Sequence, residues 1–322
     1  MKTLTALNAR ISALALCLTS LALAAPVVTV PVGGTPLYLA VNPTTNVIYV
    51  SNLTGNNVSV IDGETNSVVA TVPVGMAPAH IDVNTANGMV YVANLEGNSV
   101  SVIDGSTNTV TATITGLSSP LGLAVNSTTN QVFVSNNDTN DVAVIDGATN
   151  TIITTVPVEN SPMGVSINSK ANLIYVANNG SGTISVISGA SDTVANTFAL
   201  PQSAAPGNLA VDPKMNRLFI TDGTNDAVYV LGASSGILLK TITGGGLPFD
   251  PVYAAILQPG KTVLISDYSR NVVMEVNETT YDTSGELRGG DGDDPAGIAV
   301  NQKTGKVYVA EGAGNTVIVY TE

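Results

Sequence analysis

NVIYVSNLTGNNVSVIDGETNSVVATVPVG, Asn46 to Gly75, is the stretch that decides the fold. Its core string IYVSN, ending at Asn52, returns as VYVAN at Asn94, VFVSN at Asn136 and IYVAN at Asn178, each 42 residues after the last. More distant copies follow as LFITD at Asp222, VLISD at Asp267 and VYVAE at Glu311. Self-similarity at this period is the signature of a repeat architecture, in which each unit buries its apolar face only against its neighbours.

Each core string is preceded by a segment of the form Pro-x-x-apolar-small-apolar, starting at Pro36, Pro78, Pro120, Pro162, Pro206, Pro251 and Pro295. Each of the first six is followed by two more short runs rich in Val, Ile and Thr and punctuated by Gly, Asn, Asp and Pro, which is the strand signature. One unit therefore reads as four strands: 37–42, 47–51, 57–61 and 67–74. The second run is continuously apolar, as a strand buried on both faces requires. Four-stranded units of this length, covered on both sides by their neighbours, are propeller blades. The chain supplies only three strands for the seventh unit, and PVVTVPVG, Pro26 to Gly33, matches the fourth strand VVATVPVG, Val68 to Gly75. The predicted fold is all-β: a seven-bladed β-propeller with four antiparallel strands per blade, closed by the N-terminal strand completing the last blade. Such closure removes the open sheet edge.

The repeat resembles the YVTN family of β-propeller repeats, with the first four copies matching closely and IDG recurring at Asp62, Asp104 and Asp146. The resemblance covers nearly all of the chain beyond its first residues. It implies a propeller and an extracytoplasmic setting, and it leaves the activity open, because one fold hosts many functions.

Composition removes several chemistries. Of 322 residues, 44% are hydrophobic and 11% charged, too apolar for disorder. The net charge of -13 argues against nucleic acid, whose phosphates are bound by clustered cations. A single Cys and a single His exclude a disulfide framework and a Cys/His metal cluster. Residues 1–24 read as a secretory signal: Lys2 and Arg10 precede the apolar stretch Ile11 to Leu23, and Ala22-Leu23-Ala24 supplies the small-x-small cleavage pattern. Residues 25–322 then form one propeller domain, monomeric and exported to the periplasm or cell surface. Beyond the signal no run reaches the 18 apolar residues of a transmembrane helix.

Alternation along each first strand places two residues per blade on the central channel. Most are small, so the exceptions stand out: Tyr38, His80, Asp82, Ser166, Asn208 and Tyr253 form a polar constellation that the repeat brings to one place, the candidate ligand site. His80 and Asp82 point the same way, and a carboxylate beside an imidazole would raise its pKa and fix its tautomer, as a general base needs. The constellation is similar to the polar channel mouth of propeller enzymes such as the streptogramin-inactivating lyases, whose additional histidines are not found here.

Three further features belong to the loops. The ring Asn52, Asn94, Asn136, Asn178, Asp222, Asp267 and Glu311 is read as bonding backbone in the turns that follow. Gly63, Gly105 and Gly147 of the IDG turns are read as supplying conformations other residues resist. Asp291, Asp293 and Asp294, in a glycine-rich loop with Asp250 in the neighbouring one, are hard oxygen ligands suited to Ca²⁺, on the face of the channel mouth. On the opposite face Lys170, Lys214, Arg217, Lys261, Lys303 and Lys306 gather in blades four to seven, a sector that could meet an anionic polymer or simply keep its loops soluble.

Two functions remain. The first is a non-catalytic scaffold binding a protein or an envelope polymer. The alternative is a lyase or lactone hydrolase with His80 as base, Asp82 orienting it and Tyr38 or Tyr253 positioning substrate.

Overall fold

The computed structural model describes residues 27–258, 261–288 and 294–321. The signal-peptide reading of 1–24 therefore lies outside the described residues, as do Asp291 and Asp293 of the acidic loop.

Seven four-stranded antiparallel sheets follow one another, six of them built from four strands consecutive in sequence. In blade 1 the strands are Pro36–Asn42, Val47–Asn52, Asn57–Asp62 and Ser67–Pro73, within two residues of the sequence reading. The second strand is buried along all but its first residue, whereas the fourth is mostly exposed. Burial thus falls from the axis-side strands to the rim. Tyr49, Tyr91, Phe133, Tyr175, Phe219, Leu264 and Tyr308, one per blade, are at most 1% exposed and pack between neighbouring sheets. Helical structure among the described residues amounts to a single 3-10 turn, Tyr268–Arg270.

The ring closes as the repeat requires. Val27–Pro31 pairs antiparallel with Thr316–Tyr320 from Val27 opposite Tyr320 to Pro31 opposite Thr316, completing blade 7. Polar contacts fasten the adjoining seam between blades 7 and 1: Asn301 donates to the Asn46 side chain at 2.7 Å, and Lys306 Nζ donates to Gly63 O at 2.6 Å and Asn66 Oδ1 at 3.1 Å. The Asn301 link has counterparts where Asn84 meets Asn130 and Asn126 meets Asn172, so seam and ordinary blade junctions use one device.

The turns divide their labour differently from the sequence reading. Left-handed backbone is carried by Asn46, Asn56 and Asn66 and their equivalents, with φ of 49–56° in blade 1. Asparagine tolerates this region because its side chain bonds locally. Gly63 is glycine for want of space: a Cβ there would lie 2.5 Å from Asn46 Oδ1, and at Gly105 it would lie 2.5 Å from the Tyr49 hydroxyl. Gly63 therefore admits the Asn46 turn of its own blade, and Gly105 the tyrosine of the neighbouring one.

The expectation for the Asn ring holds at Asp222, whose Oδ1 accepts Asn225 N of the following turn at 3.0 Å, and is corrected for the asparagines. Asn52 Nδ2 donates to Asn57 Oδ1 and Ser59 Oγ, Asn94 to Ser99 and Ser101, Asn136 to Asp141 and Asn178 to Thr183 and Ser185. These asparagines are 0–3% exposed, and their amide nitrogens donate to the adjacent third strand, whereas Oδ1 of Asn52, Asn94 and Asn178 finds no donor among the described residues and that of Asn136 accepts Ser118 N. They clamp the second strand to the third and present no open crown to a ligand.

Candidate functional site

The first strand of each blade lines the axis, and close approach there dictates small residues. A Cβ at Gly122 would lie 2.0 Å from Met163 O, and one at Gly297 would lie 2.6 Å from Leu37 O, both in the next blade's first strand. Three bulky rings interrupt this narrow ring of backbone. Tyr38 and His80 pack with centroids 3.8 Å apart, Tyr38 and Tyr253 at 5.7 Å, and His80 and Tyr253 at 6.2 Å, with mutual tilts of 45–54°. Asn208 joins them from blade 5, donating through Nδ2 to the Tyr38 hydroxyl at 3.4 Å and to Val252 O at 3.2 Å.

This cluster is placed by a local irregularity in the first strands. In blades 1 and 6 the register shifts between Pro36 and Tyr38 and between Pro251 and Tyr253. The freed amides are taken by hydroxyls: Tyr38 N donates to Ser51 Oγ, Asn208 N to Thr221 Oγ1 and Tyr253 N to Ser266 Oγ, at 3.0–3.2 Å. Ser266 Oγ in turn donates to Ala296 O of the next blade at 2.7 Å. Ser51, Thr221 and Ser266 are positioning residues that the motif reading passed over. Their signal was visible as SN, TD and SD where blades 2, 4 and 7 carry AN or AE.

The rings divide the channel. Tyr38 borders a cavity of about 410 Å³ near the starts of the first strands, together with Asn208 and Asp250. It also borders a second cavity, of about 320 Å³, lined by His80, Asp82, Ser166 and Tyr253 and by aliphatic side chains of the first strands. The second cavity extends to Ile167, Val211 and Ile256, half-buried, and to exposed Ser169, where those strands end. It therefore opens on the face opposite the Asp250 loop. The constellation lies at mid-channel below that opening, which corrects its placement on the face of the acidic loops.

All six predicted residues line one or both cavities, but they are not wired as a catalytic dyad. Asp82 Oδ1 accepts Val83 N and Asp82 Oδ2 accepts Val125 N, both at 2.8 Å. Burial is the main influence on both titrating groups. It pushes the Asp82 carboxyl up to about 6 against those two amide bonds. It holds His80 down at about 4, with the Asn208 side chain acting weakly the other way. The expected rise of the imidazole pKa through Asp82 is therefore reversed: the carboxylate is engaged by backbone, and the ring, 6% exposed, is desolvated. Burial likewise raises both tyrosine hydroxyls, and for Tyr253 the neighbouring Tyr38 and Asp82 add to the rise.

Of the acidic loop, Asp294 is described, and its Oδ2 accepts the Tyr268 hydroxyl at 3.2 Å. The Asp250 carboxyl is raised by burial and by Asp267 and Asp226 nearby. Among the described residues no three His, Cys, Asp or Glu side chains converge as a metal-holding group. In the basic sector, Arg217 is spent on Tyr281 and Met215, and Lys306 on the seam. Lys170, Lys214, Lys261 and Lys303 form no ion pair among the described residues.

Fold and channel together define a seven-bladed propeller with an aromatic partition across its axis and a blind polar cavity on one side. A family profile described as YNCE-like beta-propeller matches residues 7–310, and the chain belongs to that family. No match was found among curated proteins. Among solved structures, Kuenenia stuttgartiensis Hydrazine Synthase is similar at a TM-score of 0.80 and 18% identity, over 89% of this chain and 96% of that one. At that identity the likeness concerns the fold alone. No described helix is long and apolar enough to cross a membrane.

Proposed function

We propose that this protein is an exported, non-catalytic binding propeller, whose central cavity takes a small polar ligand and whose loop faces are free to meet an envelope partner. The observation that carries the reading is the state of the channel's polar groups. Asp82 accepts two backbone amides, Asn208 bridges Tyr38 and Val252, and His80 is buried against Tyr38. A blind cavity walled mainly by aliphatic and aromatic residues, with a few convergent polar groups, is the usual form of a small-ligand site. The enzyme alternative asks His80 to act as base, yet an imidazole held at about 4 is a weak one at neutral pH. Export rests on the N-terminal sequence pattern.

Screening the purified chain against small metabolites by melting shift tests the reading, because a ligand selective for the folded state raises the midpoint by mass action. The expected result is stabilisation by a compound that is recovered unchanged and loses its effect when Ala255→Phe fills the cavity. Conversion of the compound to product, abolished by His80→Gln, would replace this reading with the enzyme. Recovery of the chain in the cytosolic fraction of its native cell would remove the export claim.

A further inference from the structure

Resting on the binding reading above, we infer that the cavity ligand carries an organic ammonium group, seated against Tyr38, Tyr253 and His80 with Asp82 as its counter-ion. The lining of the cavity points to this charge and to no other. Among the described residues Asp82 is its single formally charged side chain; the rest is aromatic, aliphatic or hydroxyl. Each Asp82 oxygen accepts one amide and keeps a second lone pair for a ligand donor. The three rings that close the inner end of the same cavity are inclined to one another by 45–54°. Aromatic rings hold ammonium groups through the ring quadrupole, most strongly where water is excluded. Ser166 supplies a further hydroxyl on the same wall. The volume, about 320 Å³, lies at the small end of the ligand-pocket range of roughly 300–1,000 Å³, which favours a compact amine or quaternary ammonium.

An anionic ligand is the competing choice, since Lys170, Lys214, Lys261 and Lys303 stand on the turns around this opening. Those side chains are on solvated turns, where salt screens them within about 8–10 Å. Asp82 acts from inside, where the dielectric is lower and an unpaired charge matters more. An anion drawn by the rim would meet a carboxylate inside the cavity, whereas an ammonium group neutralises it.

Calorimetric titration of the full protein with choline chloride and with its neutral carbon isostere, 3,3-dimethylbutan-1-ol, tests the inference at constant ionic strength. We expect choline to bind about tenfold or more tightly than the isostere. Asp82→Asn, close in shape, should abolish that preference, and Tyr253→Leu should weaken choline binding; circular dichroism and melting check that both variants fold. Equal binding of the two probes, a preference that survives Asp82→Asn, or no choline binding at millimolar concentration would overturn it. If choline fails while the metabolite screen yields a neutral or anionic ligand blocked by Ala255→Phe, the ammonium assignment falls and the binding reading stands.

Discussion

The Asn208 side-chain amide donates to the Tyr38 hydroxyl at 3.4 Å across 170 residues of sequence, joining blade 5 to blade 1. This reach adds a link across the ring to the nearest-neighbour packing of Tyr38 on His80. Tyr38→Phe leaves a buried amide hydrogen without that acceptor and should destabilise the fold by about 1–2 kcal/mol, read from urea unfolding. A loss near zero would mean that the bond to Val252 O alone satisfies the amide.

His80 and Asp82 should respond to pH in opposite directions. The folded His80 pKa of about 4 lies below its unfolded value of 6.5, so the folded state binds fewer protons and this group lowers stability as pH falls from 6.5 to 4. His80→Gln should therefore gain stability relative to the parent as pH drops through that window. The folded Asp82 pKa of about 6 lies above 3.8, so its contribution weakens stability as pH rises from 3.8 to 6. Asp82→Asn should gain relative to the parent toward higher pH. Melting midpoints of the parent and both variants at pH 4, 5, 6 and 7 measure the two slopes, each worth a few kcal/mol across its window. Parallel curves would remove the burial argument.

Ser266 tests how the rings are positioned. Its hydroxyl accepts Tyr253 N and donates to Ala296 O, and it is fully buried. Ser266→Ala should cost about 1–3 kcal/mol by orphaning those groups, and Ser266→Thr should restore part of it, as Thr221 serves in blade 5. Equal stability of the alanine variant and the parent would deny the hydroxyl this role.

Glu278 is a buried liability in the fold. It is 0% exposed, and neither carboxyl oxygen finds a hydrogen-bond donor among the described residues. Burial, then Asp212 beside it, push its pKa up to about 7 against Arg217 and Lys261. The folded value exceeds the unfolded 4.5, so the destabilisation is fully present above 7 and vanishes below 4.5. Glu278→Gln should raise the melting midpoint at pH 8 and have a shrinking effect toward pH 4.5. A difference independent of pH would show that charge is not the cause.

Removal of residues 27–31 should open the ring and make the protein aggregate. Without that strand Thr316–Tyr320 presents an unpaired edge, and Val30, 2% exposed, leaves the core between blades 7 and 1. Size-exclusion chromatography and light scattering read the outcome; a stable monomer would assign closure to the Lys306 and Asn301 contacts instead.

What the sequence determined by itself was everything repeated. A 42-residue period, a doubly buried second strand and an N-terminal copy of the fourth strand specify blade number and closure, because each blade's pattern concerns its own sheet and the next. Alternation also brought Tyr38, His80, Asp82, Ser166, Asn208 and Tyr253 to the axis. The tertiary structure alone decided what they do there. Whether Asp82 meets His80 or the amides of Val83 and Val125 depends on how blades 2 and 3 approach, and two side chains on the same face of a strand need not touch. Tyr38 likewise borders a cavity on each side of the partition, a placement that only the packed rings reveal. Local pattern encodes burial, whereas desolvation and the partners of a charged group are properties of distances between blades.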